Sequence, residues 1–99
     1  MQIVEKDTGA PFVFAVEGRL DTNTSPELDT YAAGLYNGGT HDIVVDMVDC
    51  DFVSSAGLRV IVAMQKRATV DGSLVFRNVH PEVMEVLKMT GFDNILTIE

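Results

Sequence analysis

VVDMVDCDFVSSAGLRVI, running from Val44 to Ile61, contains the end of a strand, a short acidic loop and the start of a helix. The β-branched run inside His41–Met47 (HDIVVDM) suits a central strand covered on both faces. From Ser55 to Val70, Leu58, Val60, Ile61, Val62 and Met64 recur almost all round a helix, which predicts a largely buried one. Asp71-Gly72 closes it. Downstream, Ser73–Asn78 (SLVFRN) reads as a strand. Pro81 opens a further helix carrying Val83, Met84 and Leu87, Gly91 follows it, and Ile95–Ile98 is a final strand.

Upstream, Met1–Lys6 and Pro11–Glu17 (PFVFAVE) form a hairpin across the turn Asp7-Thr8-Gly9, the second strand stopping at Gly18. Thr22-Asn23-Thr24-Ser25-Pro26-Glu27 is dense in helix-start residues. Either Ser25 caps a helix with Pro26 at its first position, or Thr24 and Glu27 form a capping box. That helix carries Leu28, Tyr31, Ala32 and Leu35 on one face and ends at Asn37-Gly38-Gly39. There is no internal repeat or long linker. The order ββαβαβαβ predicts one α/β domain over residues 1–99, with a mostly parallel sheet, right-handed crossovers and an antiparallel hairpin at its beginning.

Composition narrows the function classes. The 99 residues are 46% hydrophobic and 22% charged, an ordinary globular balance able to bury one small core. Lys and Arg number 7 against 15 Asp and Glu, a net charge of −8. That is the wrong sign for a nucleic-acid or anionic-membrane surface, and it steers the chain toward basic patches on partners. One cysteine makes no intramolecular disulfide, and one cysteine with two histidines builds no structural zinc site. No run approaches the roughly 18–20 apolar residues of a membrane span, and MQIVEKDTGA lacks a signal pattern, so the expectation is a reduced, cytoplasmic chain without membrane insertion.

Chemistry in an open α/β sheet gathers at the carboxyl ends of strands, beside helix N-termini, and here that place is Ser54-Ser55-Ala56-Gly57. One reading makes Ser54 or Ser55 an N-cap. The other makes one serine a phosphorylation site, where a phosphate would meet free N–H groups and the positive end of the helix dipole while adding about −1.5 to −2 charge. Asp46, Asp49 and Asp51 could form an acidic pocket for Mg²⁺ in a small nucleotide-binding or phosphotransfer domain, or simply a solvated loop. Cys50 reads as a half-buried loop cysteine, His41 as a strand-start residue, His80 as a helix N-cap, and Met64, Met84 and Met89 as core. Ser-Ser-Ala-Gly lacks the first glycine of a hydrolase nucleophile elbow.

Asp51-Phe52-Val53-Ser54-Ser55-Ala56-Gly57-Leu58 resembles the signature of STAS domains, and Gly18-Arg19-Leu20-Asp21 resembles that family's Gly-x-Leu-Asp turn after the second strand. The spacing between the two blocks fits, and the element order covers nearly the whole chain. The nearest likeness is to bacterial anti-sigma-factor antagonists. The resemblance implies a non-enzymatic partner switch without cofactor or metal. The unmodified protein binds an anti-sigma factor that is also a serine kinase and so frees the sigma factor; phosphorylation breaks the complex, and a serine phosphatase resets it. The modified residue, two before the motif glycine, falls on Ser55, with Ser54 the adjacent alternative. Asp21 matches an acidic residue beside that serine; its other reading is a turn or cap aspartate. Asp21, Ser54, Ser55, Gly57 and Arg59 form the expected docking set. This chain has Ser54 where many members carry Asp, and many members continue past the last strand into a further helix. Within the same fold, the alternative is a STAS scaffold subunit of a lipid-transport or stress-sensing complex, its serine a cap or static contact.

Overall fold

Alternating large apolar residues build the sheet. In the computed structural model, which describes residues 1–99, the elements in chain order are β1 (Gln2–Asp7), β2 (Phe12–Glu17), β3 (Arg19–Leu20), α1 (Ser25–Asn37), β4 (Asp42–Asp46), β5 (Phe52–Val53), α2 (Ser55–Val70), β6 (Ser73–Arg77), α3 (Pro81–Thr90) and β7 (Thr97–Ile98). A 3-10 turn at Phe92–Asn94 takes up part of the segment expected to be the last strand, leaving Ile95 exposed. β1 and β2 form the expected antiparallel hairpin, Ile3 opposite Val16 and Glu5 opposite Phe14. β2, β4, β6 and β7 are parallel neighbours in that order.

Each crossover steps the same way across the sheet, so right-handed connections place all three helices on one face. The core agrees. Phe12, Phe14 and Val16 of β2, Ile43 and Val45 of β4, and Leu74 and Phe76 of β6 alternate along their strands. They pack in one cluster with Leu28 and Ala32 of α1, Leu58, Ile61 and Met64 of α2, and Val83 and Leu87 of α3. β4 is central as expected but has no helix on its second face. There Val44 is hidden between its cross-strand neighbours Val13 and Val75. An unbroken β-branched strand needs only flanking valines, not a second layer, to bury its odd residue.

Three local expectations are corrected. α1 uses neither capping solution: Ser25 is the first helical residue and lies buried, its hydroxyl donating to the Asp21 carbonyl, and Thr24 in the cap position makes no capping bond to the helix. α2 has the expected bounds but is amphipathic rather than buried all round. Gly57, Leu58, Ile61, Met64 and Ala68 face inward, while Arg59, Lys66, Arg67 and Val70 are exposed. Of the three methionines expected in the core, Met64 is buried and Met84 packs at its edge, but Met89 is 80% exposed because it falls on the outer face of α3.

Candidate functional site

The strands β3 and β5, two residues each, were not foreseen; they are too short for any periodicity. They pair in parallel, Arg19 with Phe52 and Leu20 with Val53, and so join the Gly18–Asp21 block to the Asp51–Leu58 block. Two further bonds close the junction: the Gly18 N–H donates to the Asp49 carbonyl (2.8 Å) and the Ser54 N–H to the Leu20 carbonyl (2.8 Å). Gly18 has φ +101°, a left-handed conformation that glycine adopts without strain at the corner between β2 and β3.

At the mouth of α2 the two serines have different surroundings. Ser54 is half-buried with extended backbone, and its Oγ accepts the Gly57 N–H at 3.3 Å, so it is the N-cap. Ser55 begins the helix proper and is exposed. Gly57 is buried and has no surface to offer a partner. A Cβ there would lie 2.9 Å from both the Leu20 Cγ and the Leu20 carbonyl oxygen, and 3.0 Å from the Val53 Cγ1. What the structure shows for this member of the expected docking set is a packing role: it lets the first turn of α2 sit directly on β3.

Asp21 braces the turn that leads from β3 into α1. Its Oδ1 accepts the N–H groups of Asn23 and Thr24, both at 3.0 Å, while the Thr24 hydroxyl donates to the Arg19 carbonyl (2.7 Å) and accepts the Asp21 N–H (2.9 Å). The Thr24 backbone bond, ahead of the partial desolvation that opposes it, holds this carboxyl below the usual aspartate range. Beside this turn the Arg19 guanidinium stacks over the half-exposed Phe52 ring, 3.9 Å from its centroid.

Arg59 is exposed one turn after Ser55 on α2. Arg59, Lys66 and Arg67 are three of the seven basic residues, and α2 has no acidic residue. The net charge of −8 pointed toward a basic partner, yet this helix presents the opposite sign. That is a local reversal which whole-chain charge conceals. Arg67 is engaged, its guanidinium 5.1 Å from the Tyr36 ring and 3.4 Å from the Asn37 side-chain oxygen. A groove of about 440 Å³ runs along α2 from Ser55 to Lys66 and is walled on its far side by Thr90 and Phe92. Sequence reasoning missed it, although an acid-free helix with three cations was legible as a signal.

The remaining candidates are dispersed. Asp46 Oδ1 accepts the Val48 N–H (3.0 Å) and the Asn78 amide (3.1 Å), whereas Asp49 and Asp51 are exposed on the loop. No three His, Cys, Asp or Glu side chains are grouped to hold a metal ion, so the acidic-pocket alternative lacks its constellation. Cys50 is fully buried rather than half-buried; burial pushes its thiol up, and Sγ points to the Phe52 carbonyl at 3.5 Å. His80 holds the N-cap position of α3 but makes no capping bond, its ring nitrogen instead meeting the Val48 carbonyl. His41 Nε2 lies 3.7 Å from Asp71. No helix is long and apolar enough to cross a membrane.

Fold and site define a small α/β domain in which two separated sequence blocks converge on an exposed serine at a helix mouth. The family model described as Mlab, STAS domain matches residues 3–97, and the chain belongs to the STAS-domain family. It is 30% identical over 87 residues to BtrV of Bordetella bronchiseptica, named as a candidate anti-sigma factor antagonist, covering 87% of this chain and 75% of that protein. It is 27% identical over 84 residues to the anti-sigma-B factor antagonist of Staphylococcus epidermidis, covering 84% and 78%. Among solved structures, the anti-sigma factor antagonist SpoIIAA in its unphosphorylated form superposes with a TM-score of 0.80 at 16% identity, over 99% of this chain and 88% of that one. The Bacillus SpoIIAA in its phosphorylated form gives 0.75 at 15%, over 99% and 91%.

Proposed function

We propose that this chain is an anti-sigma-factor antagonist that works as a phosphorylation-controlled binding module and not as an enzyme. Unmodified, it binds an anti-sigma factor that is also a serine kinase, and so releases the sigma factor. The kinase phosphorylates Ser55, the complex separates, and a serine phosphatase restores the binding form. One observation carries the reading: Ser54 performs the capping, which leaves the Ser55 hydroxyl exposed and free of a structural task.

The fold tolerates the modification. The first N–H groups of a helix have no intrahelical acceptors and its dipole is positive there, so a phosphate on the first turn adds about −1.5 to −2 charge without unfolding α2. The same charge would sit four residues before the exposed Arg59, at the start of the helix that follows β5, the strand paired with β3 of the Arg19–Asp21 block. A partner fitted to the neutral serine would meet a desolvated dianion there, enough to reverse docking.

Incubation with the anti-sigma kinase of the same organism and ATP, followed by mass spectrometry, is expected to show one added phosphate on Ser55. Ser55→Ala should bind the anti-sigma factor and resist modification, and Ser55→Asp should bind far less while unfolding as cooperatively as the parent. Absence of any phosphate, or binding unchanged in both variants, refutes the switch and leaves a static scaffold.

A further inference from the structure

α2 is a basic helix on an acidic protein. All 15 acidic residues lie outside it. The ion pairs of the molecule are His41–Asp71, Arg77–Glu99 and His80–Glu82, so Arg59 and Lys66 are both without one. They stand on the rim of the groove between α2 and the corner where α3 gives way to the 3-10 turn. Its apolar lining on α2 is Leu58, Val62 and Ala63, and Phe92 adds an apolar far wall. Residues 55, 59, 62, 63 and 66 recur every three to four positions, which makes them one continuous stripe of the helix. Two unpaired cations beside an apolar lining, on a chain of net charge −8, are a charge pattern with a specific complement.

We propose that this groove receives an acidic, amphipathic segment of the anti-sigma partner, apolar side down, with Arg59 and Lys66 as its two carboxylate anchors. The proposal rests on the function proposed above for the identity of the partner, but the groove's chemistry stands by itself. Arg59 and Lys66 are seven residues apart, about 10 Å along the helix axis, so the matching carboxylates lie two helical turns apart on the incoming segment. Ser55 lines the same groove at its end, four residues before Arg59. A phosphate carried there would compete with the partner's carboxylate for the Arg59 guanidinium and bring like charge to the groove mouth. The groove thus explains how modification at the helix mouth could reach beyond one contact.

The test uses a synthetic peptide and no anti-sigma factor. The probe is a helix of about 18 residues, some five turns, with leucine on one face and glutamates two turns apart beside it. An isosteric version carries glutamine in place of glutamate. Each is titrated into the isotopically labelled full chain near physiological ionic strength, where the screening length is about 8 Å. The glutamate peptide should shift the amides of residues 55–66 and 90–92, and the glutamine peptide should bind about tenfold more weakly. Arg59→Glu with Lys66→Glu should abolish those shifts, and the milder Arg59→Gln should weaken them. Both side chains are exposed, and the amide spectrum verifies that each variant is folded. The proposal is overturned if the glutamate peptide leaves the groove amides unmoved, shifts the Asp21–Phe52 corner instead, binds no better than the glutamine peptide, or is indifferent to charge reversal. Any of these results together with an intact Ser55 phosphoswitch removes the groove and leaves the proposed function standing.

Discussion

Alanine at Gly57 and alanine at Gly34 are the same chemical change in two helices, and the structure gives them opposite signs. At Gly57 the new methyl would sit 2.9 Å from the Leu20 Cγ and carbonyl oxygen and 3.0 Å from the Val53 Cγ1, well inside ordinary contact. Leu20 is 0% exposed and Val53 5%, so neither can swing away, and the Leu20 carbonyl is held by the Ser54 N–H. The first turn of α2 must lift off β3. Overpacking of this kind costs about 1–3 kcal/mol, against a helix-propensity gain from Gly to Ala of up to about 1 kcal/mol. The net expectation is a loss of about 1–2 kcal/mol, or roughly 4–16 °C in Tm for a domain of this size. At Gly34, on the exposed side of α1, nothing lies within 4 Å of the added methyl, and Ala should stabilise by about 0.5–1 kcal/mol. Urea titrations followed by circular dichroism on both variants measure the pair. Gly57→Ala at or above parental stability would show that α2 does not rest on β3 as described, and would remove the packing explanation for the motif glycine.

The two serines should separate in the same assay: Ser54→Ala loses about 0.5–2 kcal/mol with its cap, whereas Ser55→Ala stays within about 0.5 kcal/mol of the parent. Equal losses would mean the cap is shared. The Asp21 carboxyl is held below its ordinary value by the Thr24 and Asn23 N–H bonds, so its contribution is complete above the unfolded pKa of about 3.9 and disappears as pH falls through the lower folded value. Asp21→Asn should therefore flatten the acid limb of stability against pH; parallel limbs would show that the turn does not depend on the charge. Cys50, buried with its thiol pushed up, should react with an aromatic disulfide reagent only as fast as the protein opens, and fast labelling under native conditions would contradict its burial.

The three helices and the longer strands were legible because they depend on neighbours in sequence, whereas the two-residue strands β3 and β5 and the 3-10 turn at Phe92–Asn94 were not. The hydrophobic periodicities of PFVFAVE and SLVFRN, Pro81 at a helix start and Asp71-Gly72 after Val70 act within a few residues, and the structure places β2, β6, α2 and α3 where they indicate. The family blocks were legible too, since each is contiguous. Capping at α1 was misread because Asp21, outside the helix, had already taken the N–H groups of Asn23 and Thr24, and the hydroxyls of Thr24 and Ser25 turned back toward carbonyls in the preceding turn.

Determined by sequence alone were the α/β class, the single domain and the serine pair at the helix mouth, all consequences of local backbone preference and the spacing of apolar side chains. Tertiary structure decided which serine caps and which stays free, why the glycine two residues after Ser55 admits no side chain, and that the acidic chain turns a basic helix outward. Each of those outcomes depends on what lies opposite. Leu20 and Val53 are far apart in sequence, and only the pairing of β3 with β5 and the packing of α2 across them bring the relevant atoms within reach.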